Sequence, residues 1–130
     1  MRYLLDTNAV IAVLNTPDSP LGNRLREHRP REVCISSVVS HELYYGAFKS
    51  ARQEQNVNLV DRLQFEVLAF DKEDSRKAGE IRALLAKQGA PIGPYEVLIA
   101  GQALARNLIL VTNNLREFTR IPGLYVEDWS

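Results

Sequence analysis

At 130 residues, with 45% hydrophobic and 25% charged side chains, the chain has the size and make-up of one soluble domain around one core. Sixteen Lys and Arg against sixteen Asp and Glu give a formal net charge of zero, so no whole-molecule field draws a polyanion, and a nucleic-acid role needs a local patch or metal ions. The lone Cys34 excludes an internal disulfide and a thiolate zinc cluster, and the absence of any apolar run near ~20 residues excludes a membrane helix.

Tyr3-Leu4-Leu5 is a short apolar run with the length of a buried strand. Asp6, Thr7 and Asn8 follow, all good helix N-caps, ahead of an apolar helix from Ala9 to Leu14. Asp6 also breaks the apolar N-terminus too early for a signal peptide, and with the single thiol this points to the cytoplasm. A strand that stops at a carboxylate and turns into a helix sets Asp6 at the C-terminal edge of a sheet, where open α/β sheets bind ligands. Asp6 would serve as a cap, but Thr7 and Asn8 would too, so capping does not demand an acid here.

The turn cluster from Asn15 to Pro20 ends this helix and caps the next, on which Leu21 and Leu25 share a face. His28 near its end suits the helix dipole and is read as structural. Val33-Cys34-Ile35 is a second strand, with Cys34 as a small buried hydrophobe. Ser36 and Ser37 cap a helix running to Phe48, with Val39, Leu43 and Ala47 as its core stripe. Glu42 shares a different stripe with Val38 and Gly46, an odd place for an acid that only meets solvent. Gly46 costs about 1 kcal/mol against Ala inside a helix, which suggests a close approach to the backbone.

Residues 49–64 read as the second helix of a hairpin, with Val57, Leu59, Val60 and Leu63 facing inward or toward a partner. Glu66 to Phe70 reads as a third strand, and Asp71 caps a helix that reaches about Lys87, with Ala78, Ile81 and Leu85 in register. Pro94 opens a helix whose first turn holds Glu96. Leu108 to Val111 is the clearest strand, Leu115 to Phe118 make a helical turn, and Gly123 to Val126 read as a last strand. Strands alternating with helices predict an α/β fold: one domain over 1–130, with a parallel sheet of about five strands flanked by helices.

The polar residues left over by this scaffold gather at strand ends and helix starts: Asp6, Glu42, Glu96, Asn113, Asn114 and Glu117. Parallel strands send all of them toward one sheet edge. Carboxylates converging without a Lys or Arg repel one another, and a divalent metal resolves the repulsion. Oxygen ligands without His or Cys suit Mg²⁺ or Mn²⁺ rather than zinc. The chemistry implied is metal-dependent phosphodiester hydrolysis. A receiver domain would need paired acids after the first strand and a late Lys, and no Lys occurs after Lys87; a dehalogenase-type phosphatase would need an Asp where Asn8 stands.

Five stretches in series resemble the PIN-domain ribonucleases and, within them, the VapC-type toxins of bacterial toxin–antitoxin pairs. They are Leu4-Leu5-Asp6-Thr7-Asn8, Ser36 to Gly46, Ile92 to Ala100, Val111 to Phe118, and Pro122 to Trp129. The resemblance implies a PIN-like fold and a metal-dependent endoribonuclease acting on RNA, tRNA included. It implies that Asp6 ligates Mg²⁺, with Mn²⁺ as a substitute, and that Glu42 and Glu96 join the metal site. Asn114 positions a water or ligand, and Glu117 supplies remaining charge. The family carries Asp where Glu96 stands, which lengthens that carboxylate by one methylene and makes a weakened PIN domain, acting as a binding module, the alternative. The resemblance further implies a homodimer and a small VapB-like antitoxin, laid along a groove beside Tyr44, Tyr45 and Phe48 and presenting a basic side chain to the acids.

Overall fold

The computed structural model describes residues 2–130. Five strands, β1 (Tyr3–Leu5), β2 (Val33–Ser36), β3 (Glu66–Leu68), β4 (Ile109–Val111) and β5 (Val126–Glu127), form one sheet in the order β3-β2-β1-β4-β5. Every neighbouring pair is parallel. Parallel neighbours cannot be closed by hairpins, so helices carry the crossovers. Helices α1 (Thr7–Asn15) and α2 (Pro20–Arg26) join β1 to β2, and α3 (Ser37–Lys49) and α4 (Gln53–Asp61) join β2 to β3. Helices α5 (Lys72–Lys87) and α6 (Pro94–Ala105) join β3 to β4, and the short α7 (Leu115–Phe118) precedes β5.

The chain steps outward from β1 to β2 and β3, then crosses to β4 on the other flank of β1. The strand order therefore reverses between β1 and β4, and a crevice opens beyond their carboxyl ends. The backbone N–H of Asp6 donates to the Val111 carbonyl at 3.1 Å, which fixes the two strand ends side by side. Leu4, Leu5, Cys34, Ile35, Leu110 and Val111 fill the sheet interior. The Cys34 thiol donates to the Tyr3 carbonyl at 3.3 Å, and burial pushes its pKa up to about 11, as befits a packed thiol.

Helices α5 and α6 lie in direct contact. A Cβ at Gly101 would stand 2.6 Å from the Ala78 Cα and Cβ, so only glycine allows this approach. That contact sets the course of α6, whose first turn carries Glu96.

Element ends differ from the sequence expectation where tertiary partners intervene. β3 stops at Leu68, because the Ala69 carbonyl accepts from Gln102 and Arg106, at 3.2 and 2.6 Å, and the Phe70 N–H donates to Ser37 Oγ. The last strand starts at Val126, since Gly123 turns the chain with φ +81°. Among the described residues nothing approaches Gly46 closely: a Cβ there would meet nothing within 4 Å, and the glycine instead lines a groove. His28 lies beyond the end of α2, stacked on Trp129 at 5.0 Å and 9°, with Tyr3 at 4.7 Å. It is structural through this cluster rather than through the helix dipole.

Candidate active site

Asp6 sits where β1 ends and α1 begins, at 6% exposure. Its Oδ1 accepts from the Ala9 N–H at 2.8 Å, so it caps the helix and faces the crevice at once. Burial pushes its carboxyl above the usual range; the Thr112 hydroxyl and the Ala9 amide pull the other way, and the charges of Glu96 and Glu42 add to the upward push. Three carboxylates from α1, α3 and α6 thus act on one another across the strand-order reversal. Among the described residues Asp6, Glu42, Glu96 and Glu117 take part in no ion pair, whereas the other buried acid, Asp74, is paired with Arg106.

Glu42 is half-buried on α3, and its Oε1 accepts from Thr7 Oγ1 at 2.7 Å. Glu96 is the third residue of α6 and folds back over the preceding Gly93, to the point that a Cβ at position 93 would overlap its carboxylate. Asn114 caps α7, and its N–H donates to Thr112 Oγ1 at 3.0 Å, which ties it to the residue next to Asp6. Glu117 stands half-buried on α7 and is not among the groups whose charge reaches Asp6. Of the six acidic and amide residues singled out from sequence, the fold brings Asp6, Glu42 and Glu96 into electrostatic contact, joins Asn114 to them through Thr112, leaves Glu117 one step removed and leaves Asn113 exposed.

Thr7, Thr112 and Gly93 were not marked by the sequence. Thr7 read only as a possible cap, and its bond to Glu42 spans 35 positions. Thr112 ends β4 and is buried. Nothing in a lone hydroxyl or glycine announces such a role before the chain is folded.

The donors are all hard oxygens, carry negative charge and lack a counter-cation, which fits a Mg²⁺-like ion. Among the described residues no three such side chains stand close enough to hold a metal unaided. The reason is visible in the side chains: Thr7 holds Glu42 and Glu96 rests on Gly93.

Residues 3–124 match the PIN domain family. The chain is 44% identical, over 99% of its length and 98% of the relative's, to the tRNA(fMet)-specific endonuclease VapC of Salmonella typhimurium. The structure of DNA-bound VapBC from the same organism superposes with a TM-score of 0.94 at 42% identity, covering 100% of this chain and 99% of that one. DNA-bound VapBC2 of Rickettsia felis gives 0.92 at 37% identity, with full coverage of both chains. With the acids at the strand-order reversal and likeness along its whole length, the chain belongs to the PIN-domain family, among the VapC ribonuclease toxins.

Proposed function

We propose that this VapC-type ribonuclease works as a single PIN domain in the bacterial cytoplasm and cuts tRNA with Mg²⁺, or Mn²⁺ in its place, held by Asp6, Glu42 and Glu96. The observation that carries the reading is Asp6: a buried carboxylate, raised in pKa, flanked by two more acids and given no cation by the fold. When bound, the ion supplies Lewis acidity that polarises a phosphoryl oxygen and offsets charge on the leaving oxygen. Asp6 contributes a ligand whose direction is fixed by the Ala9 amide. Glu42, held through one oxygen by Thr7, would have its other oxygen left to ligate the ion. Asn114, anchored through its backbone on Thr112, orients that water or a phosphate oxygen. Glu96 would join the ion only on leaving Gly93.

The relatives' tRNA(fMet) specificity supports tRNA as the substrate, and their VapBC complexes support a small antitoxin as partner. A groove of about 240 Å³ between α1, α3 and α4 supports the same reading, because it is lined by Ile11, Leu14, Gly46, Leu59 and Val60 and ends at Glu42. An antitoxin segment laid there brings a basic side chain to the acids. Tyr45 and Phe48, 61% and 56% exposed on α3, offer apolar area for that partner or for a second copy in a homodimer.

The second reading, a PIN domain with weakened catalysis acting as a binding module, is favoured by Glu96 lying on Gly93 instead of reaching toward Asp6. One experiment serves both. Cleavage of tRNA is measured with Mg²⁺ and with EDTA, in the natural chain and in Glu96→Asp. Cutting that needs metal and rises by up to on the order of 10²-fold in Glu96→Asp, with the metal-free melting temperature unmoved, supports a displaced ligand. Cutting that persists in EDTA overturns the metal reading.

A further inference from the structure

Two rings stand beside the acids without belonging to the core. His41 on α3 immediately precedes Glu42, and Tyr95 on α6 immediately precedes Glu96. Their centroids are 5.8 Å apart with the planes tilted by 48°, so they meet across the gap between the two helices. Both are exposed, Tyr95 to 42%. The Tyr3–His28–Trp129 cluster shows what aromatic packing for stability looks like in this fold: closer centroids around a buried Trp129. In the His41–Tyr95 pair neither ring is buried.

On the ribonuclease reading, the crevice at Asp6 must hold a phosphate chain while carrying uncompensated carboxylates. Those acids repel phosphate, and stacking is an attraction that asks for no positive charge, because every base has a π face. Bases free to stack on a protein ring are unpaired ones; in a duplex both faces are covered by neighbours.

We propose that His41 and Tyr95 form a stacking platform for one unpaired base next to the phosphate that is cut. The proposal rests on the ribonuclease reading of the Asp6 site. The tilt gives the platform its form: the base lies on one ring with its edge against the other. The rings meet between α3 and α6, the two helices that carry Glu42 and Glu96, so the base they hold brings the adjoining phosphate toward those carboxylates. They are positioning residues and touch no reacting atom.

The test uses the full chain carrying Asp6→Asn, which prevents turnover, titrated with a single-stranded RNA containing 2-aminopurine and with a duplex of the same sequence. Tyr95→Ala is expected to weaken single-strand binding about tenfold and to remove the fluorescence quenching, while Tyr95→Phe retains both. The loss is expected to be equal at 50 and 200 mM salt, since no phosphate contact is removed. Binding of the duplex is expected to stay as it was, as is Mg²⁺ affinity measured by calorimetry in chains that keep Asp6. Undiminished binding and quenching in the His41→Ala, Tyr95→Ala double variant overturns the platform and leaves the nuclease reading standing. A parallel loss of Mg²⁺ affinity, or an equal loss of duplex binding, also overturns it, because the rings would then be holding the acids or the backbone. A natural chain that cuts no RNA with Mg²⁺ overturns the nuclease reading and the platform with it.

Discussion

Asp6 caps α1 just after β1, and Asp74 closes the capping box of α5 just after β3; both carboxylates are withdrawn from water, at 6% and 0% exposure. Asp74 accepts from Arg106 Nε and Nη2 at 3.2 and 2.9 Å, from Gln102 Nε2 at 3.1 Å and from the Asp71 N–H at 2.9 Å. Burial pushes its carboxyl up, but the bonds from Arg106 and the Asp71 amide, with the guanidinium charge, outweigh that and hold it below the usual range. Asp6 has one amide bond and the Thr112 hydroxyl, faces two further acids, and ends above the usual range. A single helix serves both. The end of α6 sends Arg106 to neutralise Asp74, while its first turn sends Glu96 to add charge beside Asp6. The fold therefore has the means to balance a buried acid, and at Asp6 it does not use them. An imbalance of that kind is what the proposed metal site would draw on.

The comparison is broken most sharply through activity. Asp6→Asn keeps a cap but removes the charge, and is expected to lower metal-dependent RNA cleavage on the order of 10³-fold, about 4 kcal/mol in the barrier. Single-turnover rates at saturating enzyme check this, and a rate within threefold of the natural chain would strip Asp6 of its role. Asp74→Ala acts on the other member. It strands Arg106 and Gln102 and is expected to cost about 3 kcal/mol of stability, read from denaturant midpoints, with cleavage by the folded fraction intact.

The smallest effect separates the two acids by pH. An unfolded Asp titrates at 3.8 in both cases. The folded Asp6 titrates higher, so its penalty is complete above the folded value and is relieved as pH falls toward 3.8. The folded Asp74 titrates lower, so its contribution is complete above 3.8 and is lost as pH falls through its folded value. Metal-free Asp6→Asn should accordingly be more stable than the natural chain at pH 7, with the gap closing on acidification. A variant less stable than the natural chain at pH 7 would show that Asp6 is compensated after all.

The two acids were not equally legible in the sequence. Asp6 stood out because a strand, a carboxylate and a helix follow one another within a few residues, which locates the sheet edge without tertiary knowledge. Its double role as cap and site residue was readable as two alternatives, and the structure has both. Asp74 carried no signal: its partners Gln102 and Arg106 lie 28 and 32 positions away, and the ending of a helix in Arg is ordinary. The sheet, its parallel sense and most caps followed from periodicity and from Ser19, Ser36 and Asp71 at helix starts. The ends of β3 and β5 did not, because carbonyl partners from α6 and the turn at Gly123 decide them.

The contact of Gly101 with Ala78 has a consequence for how this toxin can drift. Helix α6 spans roughly 18 Å and behaves as a strut with a different load at each end, Glu96 on one and Arg106 on the other. Its seat on α5 has no clearance, since even a methyl group at position 101 would collide with Ala78. A larger residue there tilts the strut and disturbs both loads together, so the lineage has no route through this position by which it could exchange killing power for robustness or the reverse. Attenuated forms that stay folded are expected from the tips of the strut, where Glu96 stands.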